Sequence, residues 1–428
     1  MIKNMCIPLK RTCTRAMICL MLVLCARTSR AYSILAHEAL IDSCWKSYIQ
    51  PLLLLKYPGS TQAQLKTAHA YAYGGAITPD IGYFPFGKPF FTNLVHYVRS
   101  GDFVNALIDD AKDINEYAFA LGFLCHYMAD KYGHSLATNK CVPILYPKEK
   151  KKFGDYVTYE DDHLSHKRTE FGFDVLQVEE GDYAKLAYHN FIGFEVSDSL
   201  LIRAFPEVYG LDIHDIFPDF ELAIGTLRWS FKRLFPALTK AAWLIKNKEL
   251  KKAHPGMTRK SYVYSMKKTD YYKEFGNNRQ KPGPFSAIIA FFIEIVPKIG
   301  PLSPLKFKAP GPEVVKMYHS SFDTALQKYE AALKAFRAGT RRLANIDFDT
   351  GDFTTPGEYG LADKNYDLLV AALKKNKFRL LNDGLRHNII AFYSHRSAPT
   401  GSRKVQNAWA RTEDGLRELR QSKDGGTE

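Results

Sequence analysis

The sequence contains few cysteines, and most of them lie near its N-terminus. Of the seven, four fall within the first 31 residues, and only Cys44, Cys125 and Cys141 lie beyond them. Three cysteines cannot all pair within one chain, so this is not a disulfide-stapled fold. We interpret Cys125 as a buried core residue, since its position turns it away from the face of its helix that carries His126.

Patterns typical of β-structure are also missing. No segment shows the two-residue alternation of a half-buried strand, and there is neither an internal repeat nor a glycine-rich phosphate loop. Apolar residues instead recur near helical spacing through most of the chain, and an apolar content of 46% is ample for a core. We therefore predict an all-α fold, a multi-helix bundle with a C-terminal helical extension.

Two apolar runs stand out, and both are too short to cross a bilayer. Residues 16–26 form a run of 11 and residues 285–297 a run of 13, whereas a transmembrane helix needs about 20 apolar residues. The second run is expected to be a buried core helix; the alternative is an interfacial segment that docks on lipid.

The N-terminus has the features of a secretory signal peptide. A basic leader precedes the first apolar run, and Ser29 and Ala31 supply small residues at the two positions that a signal peptidase reads. We predict cleavage before Tyr32 and a secreted or periplasmic protein; an uncleaved anchor is the alternative. The leader holds six basic and no acidic residues, so its removal lowers the net charge from +14 to +8. This surplus suits an anionic surface or a phosphate-bearing substrate.

Composition divides the rest of the chain. Residues 32–252 stay helical in pattern and form the predicted main domain, while residues 253–284 are polar and basic and are predicted to be a linker or long loop. Residues 285–393 form the C-terminal helical extension. From residue 394 to 428 the chain is polar and charged, and we predict a disordered tail.

The most informative stretch is the apolar segment 116–136. His126, Asp130 and His134 follow one another at four-residue steps, which keeps all three side chains on one face of a helix. Burying three ionisable groups on an apolar helix is costly unless they are paired or bind a metal. Histidine and aspartate are ligands that zinc accepts. The stretch therefore predicts a zinc site.

Other candidate ligands lie on both sides of this helix. His166 and Glu170 are again four residues apart on a predicted helix; the rival His163 has Lys167, a base, at the same spacing. Isolated histidines such as His37 and His96 are more often packed or surface residues than ligands.

Asp80 is open to two interpretations. It could be a turn or helix-capping residue, or a carboxylate that a rigid loop delivers to a site, with Tyr83, Phe84 and Phe86 as the pocket wall.

The candidate ligands are all histidine or carboxylate, and they suffice for two or three zinc ions with one carboxylate shared between two of them. The candidate metal ligands are His37, Asp80, His96, His126, Asp130, His134, His166 and Glu170.

The order of these residues resembles the zinc-dependent phospholipase C family, which includes bacterial phospholipase C and the N-terminal part of GPI-specific phospholipase D, and more distantly the S1/P1 nucleases. The most specific elements are His126-Tyr-Met-Ala-Asp130 followed by His134, and His166-Lys-Arg-Thr-Glu170. The bacterial phospholipases C and the nucleases bind a third zinc through an N-terminal Trp, whereas the predicted terminus here is Tyr32.

The resemblance assigns the ligands to zinc ions. It implies one zinc at Asp80, His96, His126 and Asp130, a second at His134, His166 and Glu170, and a third at His37 with Asp130 as the bridge.

The resemblance also implies an activity. We expect a phospholipase C that hydrolyses phospholipid headgroups at a membrane surface, with Asp80 as the general base. Two alternatives stay open: a single-strand nuclease of the S1/P1 kind, although nucleic acid is the less expected partner, and a zinc-stabilised binding protein without turnover.

The signal-peptide interpretation predicts the N-terminus of the mature protein. In a host that processes secretory signals, the protein recovered outside the cell is expected to begin at Tyr32, which intact-mass measurement with N-terminal sequencing would show. Recovery of the chain with residues 1–31 still attached in the membrane fraction would instead support the uncleaved anchor.

Overall fold

The structure, a computed structural model, describes residues 34–180, 194–230, 248, 251, 252, 306–339 and 342–422. In chain order, the α-helices of these residues are α1 (Ile34–Cys44), α2 (Gln50–Lys56), α3 (Gln62–Ile77), α4 (Pro89–Tyr97), α5 (Ser100–Asp109), α6 (Ile114–Gly133), α7 (Asn139–Leu145), α8 (Pro147–Phe153), α9 (His163–Glu180), α10 (Asp198–Tyr209), α11 (Ile213–Ile216), α12 (Phe220–Trp229), α13 (Pro312–Arg337), α14 (Gly360–Lys375), α15 (Asp383–Ser394) and α16 (Arg403–Gln421).

The architecture is all-α, as predicted. The described residues contain no β-strand, and their one β-type pairing is an isolated antiparallel bridge between Ile346 and Phe353. Three irregular turns connect the helices near the centre of the protein: a π-helical turn (Trp45–Ile49) joins α1 to α2, a 3₁₀ helix (Thr78–Tyr83) follows α3, and a second π-helical turn (His134–Thr138) joins α6 to α7.

Helix α6 is the centre of the fold. It begins after Asp113, whose carboxylate accepts hydrogen bonds from the backbone N–H groups of Asn115 and Glu116 at 2.8 and 2.9 Å. Almost every residue of α6 is buried, because α3, α5 and α13 pack around it. A helix that is apolar on all sides belongs inside a protein, and the three ionisable residues near its end are therefore carried into the interior.

Two glycines allow α3 and α6 to approach closely. A Cβ atom added to Gly75 would fall well inside van der Waals contact of the carbonyl oxygen of Phe119, and one added to Gly122 would do the same to the carbonyl oxygen of Ala72. The missing side chains thus let the two backbones touch, which places the 3₁₀ helix that follows α3 beside the C-terminal half of α6.

The C-terminal helices share this core. Helix α13 packs along α6, and the buried Tyr329 hydroxyl donates a hydrogen bond to the carbonyl oxygen of Leu121 at 2.9 Å. On its other side the Tyr48 hydroxyl donates to Glu330 at 2.9 Å. The chain after residue 306 is therefore part of the environment of α6.

The prediction of a disordered tail from residue 394 is wrong for residues 403–421, which form α16. Thr412, Leu416 and Leu419 are buried at helical spacing, and α16 packs on α14. Lys374 of α14 forms ion pairs with Asp414 and, at 3.0 Å, with Glu418. The apolar face of α16 has only a few residues, and the charged residues between them make its helical periodicity weak in the sequence.

Several expectations fall outside the described residues. They are the signal peptide at residues 1–31, the linker at 253–284 and the apolar run at 285–297. Among the residues that the structure does describe, no helix combines the length and apolarity that a membrane crossing requires.

The contact between α3 and α6 predicts the effect of a single methyl group. Gly122→Ala should destabilise the protein by about 1–3 kcal/mol, because the helices must move apart to accommodate it. Gly225→Ala is the matched control: Gly225 is an exposed residue of α12 with open space around its Cα, and alanine should stabilise it by about 0.5–1 kcal/mol. Thermal unfolding of both variants measures the contrast, and equal effects would contradict the close packing.

Candidate metal centre

The structure brings all eight predicted ligands into the protein interior. None of them is more than 4% exposed. Helix α1 supplies His37, the 3₁₀ helix Asp80, α4 His96, α6 His126 and Asp130, the π-helical turn after α6 His134, and α9 His166 and Glu170. Residues from separate parts of the chain are thereby placed around the C-terminal half of α6.

The first group consists of Asp80, His96, His126 and Asp130. The ligand atoms of Asp80, His96 and His126 lie within 4.8 Å of one another. The Nε2 atoms of His96 and His126 are 3.3 Å apart, and His96 Nε2 is 3.5 Å from Asp80 Oδ1. Asp130 Oδ2 closes the group, at 3.0 Å from His126 Nε2 and 3.4 Å from His96 Nε2. Two nitrogens and two carboxylate oxygens thus face a common centre.

Backbone carbonyl groups fix the orientation of both rings in this group. The Nδ1–H of His96 donates to the carbonyl oxygen of Thr92, and the Nδ1–H of His126 donates to that of Ala76, each at 2.8 Å. Because a carbonyl oxygen can only accept, each ring carries a proton on Nδ1, and Nε2 is the ring atom that faces the centre.

Asp130 also connects the first group to His37. Its Oδ1 atom is 3.1 Å from His37 Nε2, and the rings of His37 and His126 stack with their centroids 4.5 Å apart. His37, His126 and Asp130 form a second possible set of ligands, again within 4.8 Å of one another. The two oxygens of Asp130 therefore face two different sets, as a bridging carboxylate must.

The remaining predicted ligands form a separate group. Glu170 Oε1 lies 2.8 Å from His166 Nδ1 and 3.5 Å from His134 Nε2, and the two imidazole rings meet edge to face. The rival His163 is exposed to solvent, one helical turn before His166. We call His134, His166 and Glu170 the second group.

A cation fits the chemistry of these donors. Asp80 Oδ1, His166 Nδ1 and Glu170 Oε1 are all buried, and none of them makes a hydrogen bond in the part of the chain that the structure describes. Leaving polar atoms unsatisfied in the interior costs about 1–3 kcal/mol each. A cation in each group would satisfy these atoms, and imidazole nitrogen with carboxylate oxygen is a donor set that zinc prefers.

The groups also perturb one another's ionisation. Burial disfavours the charged form of His96, but the carboxylates of Asp130 and Asp80 beside its ring outweigh burial and raise its pKa to about 9. Burial likewise opposes the ionised form of Asp130, yet His126 and His134 beside it hold its pKa well below the ordinary value. Asp130 is therefore a carboxylate anion that attracts positive charge from several sides.

In the second group, burial is the main cause of the pKa shifts. Burial, reinforced by the neighbouring His134, lowers the pKa of His166 to about 3. Burial, reinforced by Asp130 and Asp80, raises the pKa of Glu170 well above its ordinary value. A neutral imidazole has the lone pair that a metal needs, and a divalent cation would reverse the effect on Glu170 by favouring its anion.

The aromatic residues after Asp80, expected as a pocket wall, differ in their burial. Tyr83 ends the 3₁₀ helix, and both it and Phe84 are buried in the hydrophobic core, whereas Phe86 is 48% exposed. Only Phe86 of the three reaches the surface. Tyr83 and Phe84 thus pack the segment that carries Asp80 against the core.

Sequence reasoning missed the contribution of residues 342–359, between α13 and α14. Asp349 lies in this segment, is 2% exposed and contacts His134 at 3.2 Å. Asn139 at the start of α7 contacts His166 at 2.8 Å. The only sequence signal was a cluster of acidic residues with a glycine, which is typical of an ordinary turn.

The second group predicts a contrast between two histidines of α9. His166→Ala should lower the zinc content of the purified protein by about one ion per chain, because it removes a ligand from a small set. His163→Ala, an exposed change on the same helix, should leave the zinc content unchanged. Elemental analysis measures both; a normal zinc content in His166→Ala would show that this group does not hold zinc.

Comparison with known proteins agrees with this geometry. Residues 36–214 match the model of the family described as zinc dependent phospholipase C. The match includes all eight ligands, from His37 to Glu170, and ends before α13. No curated protein and no solved structure matched the chain. With the family match and the buried histidine and carboxylate groups in agreement, residues 36–214 form a domain of the zinc-dependent phospholipase C family.

Proposed function

We propose that this protein is a secreted phospholipase C that hydrolyses the phosphodiester bond of phospholipid headgroups and uses two or three zinc ions. The observation that carries the proposal is the buried arrangement of Asp80 with His96, His126 and Asp130 in a domain of this family. Secretion rests on the predicted signal peptide alone.

The proposed metal ligands are the eight buried histidines and carboxylates. Asp80, His96, His126 and Asp130 would hold one zinc, the second group would hold another, and His37 with Asp130 would contribute to a third. When bound, zinc would polarise the phosphoryl group and favour ionisation of water near neutral pH. The buried site keeps these charges in a low dielectric, where they act strongly on a substrate.

Asp80 is the proposed general base, either by taking a proton directly or by orienting the attacking water. Its Oδ1 atom is buried without a hydrogen bond among the described residues and lies beside His96. It can therefore accept a proton from water at that oxygen. Helix α3 and the packed aromatic residues Tyr83 and Phe84 hold the 3₁₀ helix in place, which fixes the position of this carboxylate.

Direct attack by water also agrees with the state of the cysteines. Cys44, Cys125 and Cys141 are all buried and unbridged. Burial raises the pKa of Cys44 and of Cys141 to about 12, and it raises that of Cys125 as well. None of them is a thiolate near neutral pH, so none has the reactive form that a covalent mechanism needs.

The proposed substrate is a phospholipid at a membrane surface, with diacylglycerol and a phosphorylated headgroup as products. The family supports a phospholipid, and the net charge of +8 expected after signal removal favours an anionic surface. The exposed Phe86, six residues after Asp80, would be available for contact with acyl chains.

The base assignment is tested by Asp80→Asn. Hydrolysis of phosphatidylcholine vesicles should fall by about 10²–10⁴-fold, because an amide cannot accept the proton. Asp155→Asn changes a carboxylate that is 83% exposed and paired with Lys150, and should keep full activity. Release of phosphocholine measures both variants. Near-normal release by Asp80→Asn would exclude Asp80 as the base.

The choice of lipid over nucleic acid is tested on the wild-type protein. Side-by-side assays with phosphatidylcholine vesicles and with single-stranded DNA should show turnover of the lipid. Turnover of DNA alone would overturn the lipid assignment and leave a zinc-dependent nuclease.

A further inference from the structure

The segment between α13 and α14, residues 342–359, enters the interior beside the metal ligands; we call it the C-terminal loop. Phe348 at its centre is 2% exposed and packs against the rings of His96 and His126, with centroids 5.0 and 5.9 Å away. The backbone N–H of Phe348 donates to the carbonyl oxygen of His96 at 3.2 Å. The loop lies outside the matched residues 36–214, yet it contacts their ligands directly.

Asp349 follows and lies against His134. Its Oδ1 atom is 3.2 Å from Nδ1 of the imidazole, while Nε2 on the opposite side of the ring lies 3.5 Å from Glu170 Oε1. A carboxylate can only accept, so the His134 proton is held on Nδ1 and the Nε2 lone pair is left for the second group. A carboxylate behind a histidine ligand is a recurrent way to fix its tautomer and raise its basicity.

The other oxygen of Asp349 is held in place by two tyrosines. The hydroxyl of Tyr97 on α4 donates to Oδ2 at 3.0 Å, and that of Tyr359 at the end of the C-terminal loop donates at 2.6 Å. Both carboxylate oxygens thus have protein partners, which suits a residue that orients a ligand better than one that binds the metal itself. The carboxylate is fixed before any metal arrives.

The loop also fixes the other histidine of the second group through Asn139. The Nδ2 of Asn139 donates to the backbone carbonyl of Asp349 at 2.6 Å and to the Tyr156 hydroxyl at 2.9 Å. These contacts direct its Oδ1 towards Nε2 of His166, 2.8 Å away, which donates to it and leaves Nδ1 facing Glu170.

The two groups therefore differ in what orients their histidines. In the first group, His96 and His126 are held by backbone carbonyls from within the family domain. In the second group, His134 and His166 both depend on Asp349, one on its side chain and the other on its carbonyl through Asn139.

We propose that Asp349 is a positioning residue for the zinc ion of the second group, so that the C-terminal part of the chain completes a metal site whose ligands all lie in the family domain. The inference rests on the proposed zinc site at His134, His166 and Glu170. It assigns a role to residues that the family match does not reach.

The test compares Asp349→Asn with the wild-type full chain by titrating bound zinc with a competing chelator. An amide keeps the shape but has a single acceptor oxygen. If that oxygen still accepts from the two tyrosine hydroxyls, an NH₂ group faces His134 Nδ1 and cannot accept its proton. In Asp349→Asn, the zinc of the second group should be lost at a chelator concentration about 10–100-fold lower than in wild type. The zinc of the first group should be lost at the same concentration as in wild type. Asp352→Asn, an exposed change in the same loop, should behave as wild type.

Tyr359→Phe and thermal unfolding guard against a purely structural effect. Tyr359→Phe removes one hydroxyl donor from Asp349 Oδ2 and should weaken the same zinc ion in the same direction but by less. For both variants, the rise in Tm on adding Zn²⁺ should be smaller than in wild type. A lower Tm without zinc, combined with unchanged chelator titration, would show that Asp349 only stabilises the fold and would overturn the proposal.

Failure of this inference is distinguishable from failure of the proposed zinc site. If Glu170→Gln leaves the zinc content of the protein unchanged, the second group does not hold zinc and the underlying assignment fails. If Glu170→Gln loses zinc but Asp349→Asn titrates as wild type, the zinc site stands and the positioning role of Asp349 is wrong.

Discussion

The interior of this protein is organised around one fully buried carboxylate. Asp130 lies within 3.1 Å of His37, 3.0 Å of His126 and 3.4 Å of His96, so that α1, α4 and α6 converge on its two oxygens. A charge in this position costs several kcal/mol unless partners compensate it. The packing supplies those partners: the glycine contact between α3 and α6 brings the 3₁₀ helix with Asp80 to the same place, and the neighbouring histidines keep Asp130 ionised. Together they keep Asp130 ionised in the interior, and a buried carboxylate anion attracts divalent cations.

The two groups of ligands differ in which part of the chain orients them. The first group is complete within the family domain, since its ligands and the carbonyl groups that orient them all lie between residues 76 and 130. The second group has its ligands in the domain, but its orienting contacts come from the C-terminal loop. Helix α13 packs along α6 just before this loop. The packing of α13 on α6 therefore helps to position the loop that orients the histidines of the second group.

Much of the site was predictable because helical periodicity is a local rule. The four-residue steps from His126 to His134 and from His166 to Glu170 fix a common face whatever the rest of the fold does. Asp80 and His96 have no such local signal, and only the order of residues shared with a known family placed them. Asp349 could not be found in either way: it is a single aspartate in an acidic turn, and its contact with His134 spans 215 positions of sequence. Helix α16 was not predicted because Leu416 and Leu419 are isolated apolar positions in a mostly polar segment.

The central claim is that these buried histidines and carboxylates hold zinc for the hydrolysis of a phosphodiester. It is tested most directly by elemental analysis of the purified full-length protein together with a phosphatidylcholine hydrolysis assay, before chelation, after chelation and after Zn²⁺ is restored. The account predicts two or three zinc ions per chain, loss of activity as they are removed, and recovery when they return. Hydrolysis that persists in a protein shown to be free of metal would contradict it.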